Sequence, residues 1–247
     1  MSPEDTAAAV KDDIGRLGGA FMLSEQAKAA STSAGIGGWA MYMIGRGGVL
    51  GDVHPDVVTS AFYFLPASSV HKGWVKGRAA LTPPGAVSLF TGACHEWGRR
   101  HLAGVTDAER LAELLARVAA AADVAGLPLF AGWRAVPLAN DPPARLAQLC
   151  HVLREYRGGV HGLCCVASGL SPLEAVLTSG GESGARFFAW PEPYDDVTHL
   201  LDARKQAEAL TDQRAASPWG VLDEDERAEG TSLLAAARQV AETSLGT

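Results

Sequence analysis

Two histidines, a glutamate, a tyrosine and two arginines fall within residues 151–162, HVLREYRGGVHG, in a chain otherwise dominated by Ala, Gly, Leu and Val. His151 and Glu155 lie four residues apart, so on a helix an imidazole and a carboxylate share one face within hydrogen-bonding reach. His161 is the candidate general acid or base, with Glu155 and His151 tuning its protonation and Tyr156 supplying a hydroxyl. Arg154 and Arg157 offer guanidiniums suited to a carboxylate, an enolate or another carbonyl-bearing group. Gly158 and Gly159 let a ligand, or a neighbouring helix, approach the backbone closely. Phe62, Tyr63 and Trp97 are the candidate aromatic walls of such a pocket. The same charges also suit a buried ion network that fixes helix packing, helped by the favourable field at a helix C-terminus.

No metal and no cofactor is expected. His151 and Glu155 match half of a carboxylate-type metal site, but a second helix would have to complete it from His95, Glu96 and His101. The four cysteines, Cys94, Cys150, Cys164 and Cys165, have no C-x-x-C or zinc spacing and read as buried thiols. Phosphate loops, dinucleotide fingerprints and nucleophile elbows are absent from the sequence.

Helix-start signals recur along the chain and define the elements that must hold these residues. Ser2-Pro3, Thr82-Pro83, Asp141-Pro142 and Ser171-Pro172 each pair an N-cap with a proline at the first helical position. Thr106 with Glu109, and Ser171 with Glu174, have capping-box spacing. After Asp141, residues Leu146, Leu149, Cys150 and Leu153 form an apolar stripe. At roughly 100° per residue Arg157 continues that stripe, with Arg154 and His161 beside it. No alternating strand of useful length appears, and irregular segments are expected at 45–56, 126–141 and 180–197. The fold class is therefore all-α, a multi-helix bundle around a long, glycine-interrupted central helix. Residues 1–180 form the main helical domain, 181–197 a linker-like segment, and 198–247 C-terminal helices packing on the main domain.

The chain has 247 residues, enough for a substantial core, and a formal net charge of −7. That balance argues against nucleic acid as a partner, because broad capture of phosphates needs a basic face. The most apolar stretch, residues 36–50, is interrupted by Arg46 and too short to span a bilayer, and no export signal opens the chain. The expected setting is cytoplasmic without a membrane partner, and the expected ligand is small, apolar or carbonyl-bearing. Apolar helix surfaces and the aromatic-rich segment 187–194 are compatible with a homodimer.

Four segments, VVTSAFYFLP, LREYRGGVHG, GLSPLEAVL and TDQRAASPW, occur in an order that resembles an actinobacterial, all-helical, helix-turn-helix-like family with a central LREHRGDGH-type motif. Leu153, Arg154, Glu155, Arg157, Gly158 and His161 match that motif. Tyr156 stands in place of its histidine and Gly159 in place of its aspartate. The apolar FLP also replaces the polar residues that usually follow Phe-Tyr. The resemblance covers the chain from about residue 39 to the tail and implies a helical fold with a winged-helix-like section. Only about thirty residues separate VLTSGG from TDQRAASPW, so that section is expected to be reduced or absent. The leading expectation is then a cofactor-independent acid/base enzyme of bacterial specialised metabolism, a cyclase, isomerase or lyase. A non-catalytic small-molecule binding or sequestration protein and a helix-turn-helix transcriptional regulator are the alternatives.

Overall fold

The computed structural model describes residues 1–246, so Thr247, the last residue of the expected C-terminal segment, lies outside the described residues. These residues form twelve α-helices joined by short loops and 3-10 turns, with no strand among them. The fold is all-α, and without strands the described residues carry no wing. Several helix starts follow the sequence signals closely. Helix α1 (Pro3–Ala20) and helix α10 (Pro172–Phe187) open with complete capping boxes, Ser2 with Asp5 and Ser171 with Glu174. Helix α6 (Pro83–His101) is capped by Thr82 and helix α9 (Pro142–Ala167) by Asp141, each accepting a bond from an otherwise unpaired backbone N–H.

The box expected at Thr106 does not form. Helix α7 (Ala108–Ala121) starts instead after Asp107, whose backbone takes the left-handed conformation at φ 59° without a side-chain cap. Aspartate tolerates that region better than most residues, which moves the helix start past Thr106.

The glycine-rich stretches are also more helical than expected. Residues 45–47 end helix α3 (Gly38–Gly47), and residues 128–134 form helix α8 (Pro128–Arg134) within the segment expected to be irregular. Helix α10 runs to Phe187 through a kink at Gly181, where φ is +60°. In α3 the glycines serve close packing: a Cβ on Gly45 would lie 2.7 Å from the Phe90 ring. Helix α9 likewise continues unbroken through Gly158 and Gly159. Two glycines cost a helix about 2 kcal/mol in propensity, which the packing around α9 outweighs.

Helix α9 is the axis of the molecule. Helices α1, α6, α7 and α8 and the later helix α11 (Leu201–Ala216) all pack on it. Two of these neighbours reach its backbone directly, because a Cβ on Gly18 would sit 2.4 Å from the Cys150 carbonyl and one on Gly98 2.6 Å from the Pro143 carbonyl. The largest core cluster joins α1, α6, α7 and α9 with the last helix, α12 (Glu224–Leu245). A second cluster lies between α3, helix α4 (Pro55–Ala61) and helix α5 (Ala67–Ala80), while the short helix α2 (Glu25–Ser33) bridges α3 and α6. All four cysteines are free and buried. No single helix among the described residues is long and apolar enough to cross a membrane.

Candidate functional site

A cavity of about 330 Å³ lies against the middle turns of α9, enclosed by α1, α3, α8 and the chain leaving α4. Its apolar wall is Phe62, Phe64, Leu127, Leu129 and Phe130, with Tyr42 and Tyr63 adding rings that carry hydroxyls. Its polar wall is Arg46, Arg154, Glu155 and Arg157, with Lys11 from α1. Exposed Gly126, Pro128, Leu163 and Val166 also line it, so the cavity opens to solvent on that side. Gly158 borders the same space and a Cβ there would meet no atom within 4 Å. Gly159 and Gly162 instead accommodate Leu127 and Tyr63, at 2.8 and 3.3 Å from the positions their own Cβ atoms would take.

Glu155 is the anion at the centre of the polar wall and is buried. Arg46 grips it through both oxygens, Nε to Oε1 at 2.9 Å and Nη2 to Oε2 at 2.7 Å, and Arg154 adds a bond to Oε1 at 3.1 Å. Burial alone would raise the Glu155 pKa, but the Arg46 charge and hydrogen bonds, with help from His151 and Arg154, bring it down to about 2. Arg46 is itself seated by stacking 4.4 Å over the Phe62 ring and by donating to the Tyr42 hydroxyl at 3.0 Å. One carboxylate therefore serves two guanidiniums.

His151 lies behind Glu155, away from the cavity, in a box of Phe21, Phe90 and Trp133. Its Nδ1 is 3.8 Å from Glu155, and neither ring nitrogen has a hydrogen-bond partner. The bond anticipated from their spacing is absent: Oε1, the oxygen nearer His151, already accepts from both Arg46 and Arg154. Burial lowers the His151 pKa to about 4 despite the opposing pull of Glu155, with Arg154 and Arg46 adding to the drop. The imidazole is neutral at pH 7.

His161 belongs to a different neighbourhood, the seam between α9 and α11. Arg204 donates to its Nε2, so Nδ1 carries the proton and donates to Thr211 Oγ1 at 2.9 Å. Thr211 in turn donates to the Ala207 carbonyl at 2.6 Å. Burial brings the His161 pKa down to about 4, with Glu208 opposing and Arg204 and Arg157 reinforcing the fall. Along the same seam Arg157 pairs with Asp212 at 2.7 Å and Glu208 at 3.2 Å, and Lys11 with Asp212 at 2.8 Å.

The structure thus brings Glu155, Arg154, Arg157, Phe62 and Tyr63 together around one cavity. His151, His161, Tyr156 and Trp97 do not line it. Tyr156 packs on Phe130 and donates weakly to the Arg214 carbonyl at 3.4 Å, and Trp97 lies on α6 beside His101. Sequence reasoning missed Arg46 and Tyr42. The available signal was Arg46 as the one charge within the apolar stretch 36–50, since a buried guanidinium demands an anion. Among the described residues no group of three His, Cys, Asp or Glu side chains converges as a metal site would require.

Comparison with known proteins adds a family. No curated protein and no solved structure matches the chain. The profile of a helix-turn-helix family matches residues 7–195, which takes in the cavity and the whole of α9. The chain belongs to this helix-turn-helix family.

Proposed function

We propose that the protein binds a small, largely apolar molecule, without transforming it, in the cavity against α9. The observation that carries this reading is the cavity itself: aromatic on one side, cationic on the other, open to solvent, and about 330 Å³ in volume. That size falls at the lower end of ligand pockets, roughly 300–1,000 Å³. Binding is favoured over acid/base catalysis because neither histidine lines the cavity. His161 has both ring nitrogens engaged, His151 is walled off by aromatic rings, and Glu155 is held as a carboxylate by Arg46.

Gly158 supplies the test, because a side chain there would grow into open space. Gly158→Leu is expected to keep the far-UV circular dichroism of the parent and a melting temperature at or above it. It should also weaken binding of the neutral fluorophore N-phenyl-1-naphthylamine by about tenfold or more, as a loss of roughly 1.4 kcal/mol requires. A parent protein that gives no saturable signal with this probe, or a folded variant that binds it equally well, would overturn the reading.

Membership of the helix-turn-helix family supports a second reading, a regulator whose affinity for DNA responds to the cavity's occupant. The acidic balance of the chain and the lack of a wing among the described residues rank it second. Salt-dependent retardation of duplex DNA would raise it.

A further inference from the structure

The polar wall is more cationic than its own carboxylates can neutralise. Arg46 and Arg154 share Glu155, while Arg157, Lys11 and Arg204 share Glu208 and Asp212. The first cluster has one cation more than it has anions, and the second has the same excess only through Arg204, which does not line the cavity. The unspent hydrogen bonds point the same way. Arg154 uses only Nη1, and Arg157 only Nη2, on acceptors among the described residues. Both guanidiniums are part-buried, their side chains 33% and 25% exposed, and the N–H groups they leave unused reach solvent, where a ligand can take the place of water. They sit one turn apart on α9, both border the cavity, and bare Gly158 lies immediately beside them. Tyr42 accepts from Arg46, and its own O–H has no acceptor among the described residues.

From this we infer that the occupant is an amphipathic small molecule with an oxyanion head, a carboxylate or a phosphate monoester, clamped by Arg154 and Arg157. Its apolar body lies along Phe62, Phe64 and Phe130. Guanidinium forks suit either head, because both present paired oxygens to parallel N–H donors. The inference rests on the binding function proposed above and adds the charge of the ligand, the feature that decides which apolar molecules enter.

Competition against N-phenyl-1-naphthylamine separates the two claims, because that probe carries no charge. Decanoate, decyl phosphate and decan-1-ol share one chain and differ in the head. Decanoate or decyl phosphate should displace the probe at a concentration about tenfold or more below that of decan-1-ol, the range expected for hydrogen bonds to charged groups. The stronger of the two identifies the head. Arg154→Gln and Arg157→Gln should each erase most of that advantage, read as the ratio of anion to alcohol displacement within the same variant, and Arg154→Lys should restore part of it. Equal displacement by the alcohol and both anions, with the probe still bound, would overturn the anion inference and leave the cavity reading intact. The same holds if the anions keep their advantage in both glutamine variants. Failure of the probe to bind the parent protein would overturn both.

Discussion

Glu155 and His151 stand one turn apart on α9, and burial acts on them with opposite outcomes. Glu155 stays charged because Arg46 meets both of its oxygens, whereas His151, boxed by Trp133, Phe21 and Phe90, stays neutral because burial penalises its charged form. The difference fixes how stability depends on pH. The folded-state pKa of His151 and of His161 is lowered from 6.5 to about 4, so between those values the unfolded chain binds protons that the folded one refuses. Stability is full above pH 6.5 and falls as pH drops toward 4. Glu155 is lowered from 4.5 to about 2, so its contribution is lost only below pH 4.5. His151 alone accounts for roughly 3 kcal/mol of the earlier loss. His151→Phe should therefore keep stability at pH 7 within about 1 kcal/mol while flattening the fall between pH 6.5 and 4, read from urea unfolding. An unchanged pH profile would show that the imidazole is not held neutral. The sequence showed that the cluster lies on a buried face. It could not show that Glu155 pairs with Arg46, 109 positions away, because helix periodicity reports only neighbours along one element.

At the level of the element, four of the five helix starts read from capping signals formed as expected, because caps and N1 prolines are local chemistry, satisfied or not within four residues. Glycine was read less well, since it marks a turn and a close approach with the same letter. Gly51 and Gly169 do turn the chain, at φ +80° and +75°, whereas Gly18 and Gly98 let two helices touch the backbone of α9. Alanine substitution separates these uses within the helices. At Gly18 the added methyl would meet the Cys150 carbonyl at 2.4 Å and the His151 amide nitrogen at 2.9 Å, both backbone atoms that cannot turn aside. Gly18→Ala should cost about 1–3 kcal/mol or more, as overpacking does. At Gly158 the methyl meets nothing, and Gly158→Ala should gain about 0.5–1 kcal/mol from helix propensity. Opposite signs in chemical denaturation would verify both assignments, and a neutral Gly18→Ala would mean that α1 packs less closely than this.

For the whole molecule, the first and last helices are fastened to each other. Asp13 pairs with Arg238 at 2.6 Å, Arg16 with Glu242 at 3.3 Å, and the Met1 amine with Glu224 at 2.8 Å. Beneath these pairs α12 buries Leu234, Ala237 and Ala241 in the same core cluster as Val10, Ile14 and Leu17 of α1. Ion pairs that keep contact with solvent contribute little each, so the apolar contact is the larger part of the attachment. Helix α1 also presents Lys11, Ile14 and Gly15 to the cavity, which makes α12 a support for that wall although it does not line it. Ending the chain after Leu222 removes this support while leaving every cavity-lining residue in place. Such a protein should unfold at a clearly lower urea concentration and bind N-phenyl-1-naphthylamine more weakly than the full chain, by about tenfold if the wall is displaced. Full-strength binding in a destabilised but folded truncation would show that the cavity is held by α9 and its other neighbours without α12. The C-terminal helix would then serve the stability of the core alone.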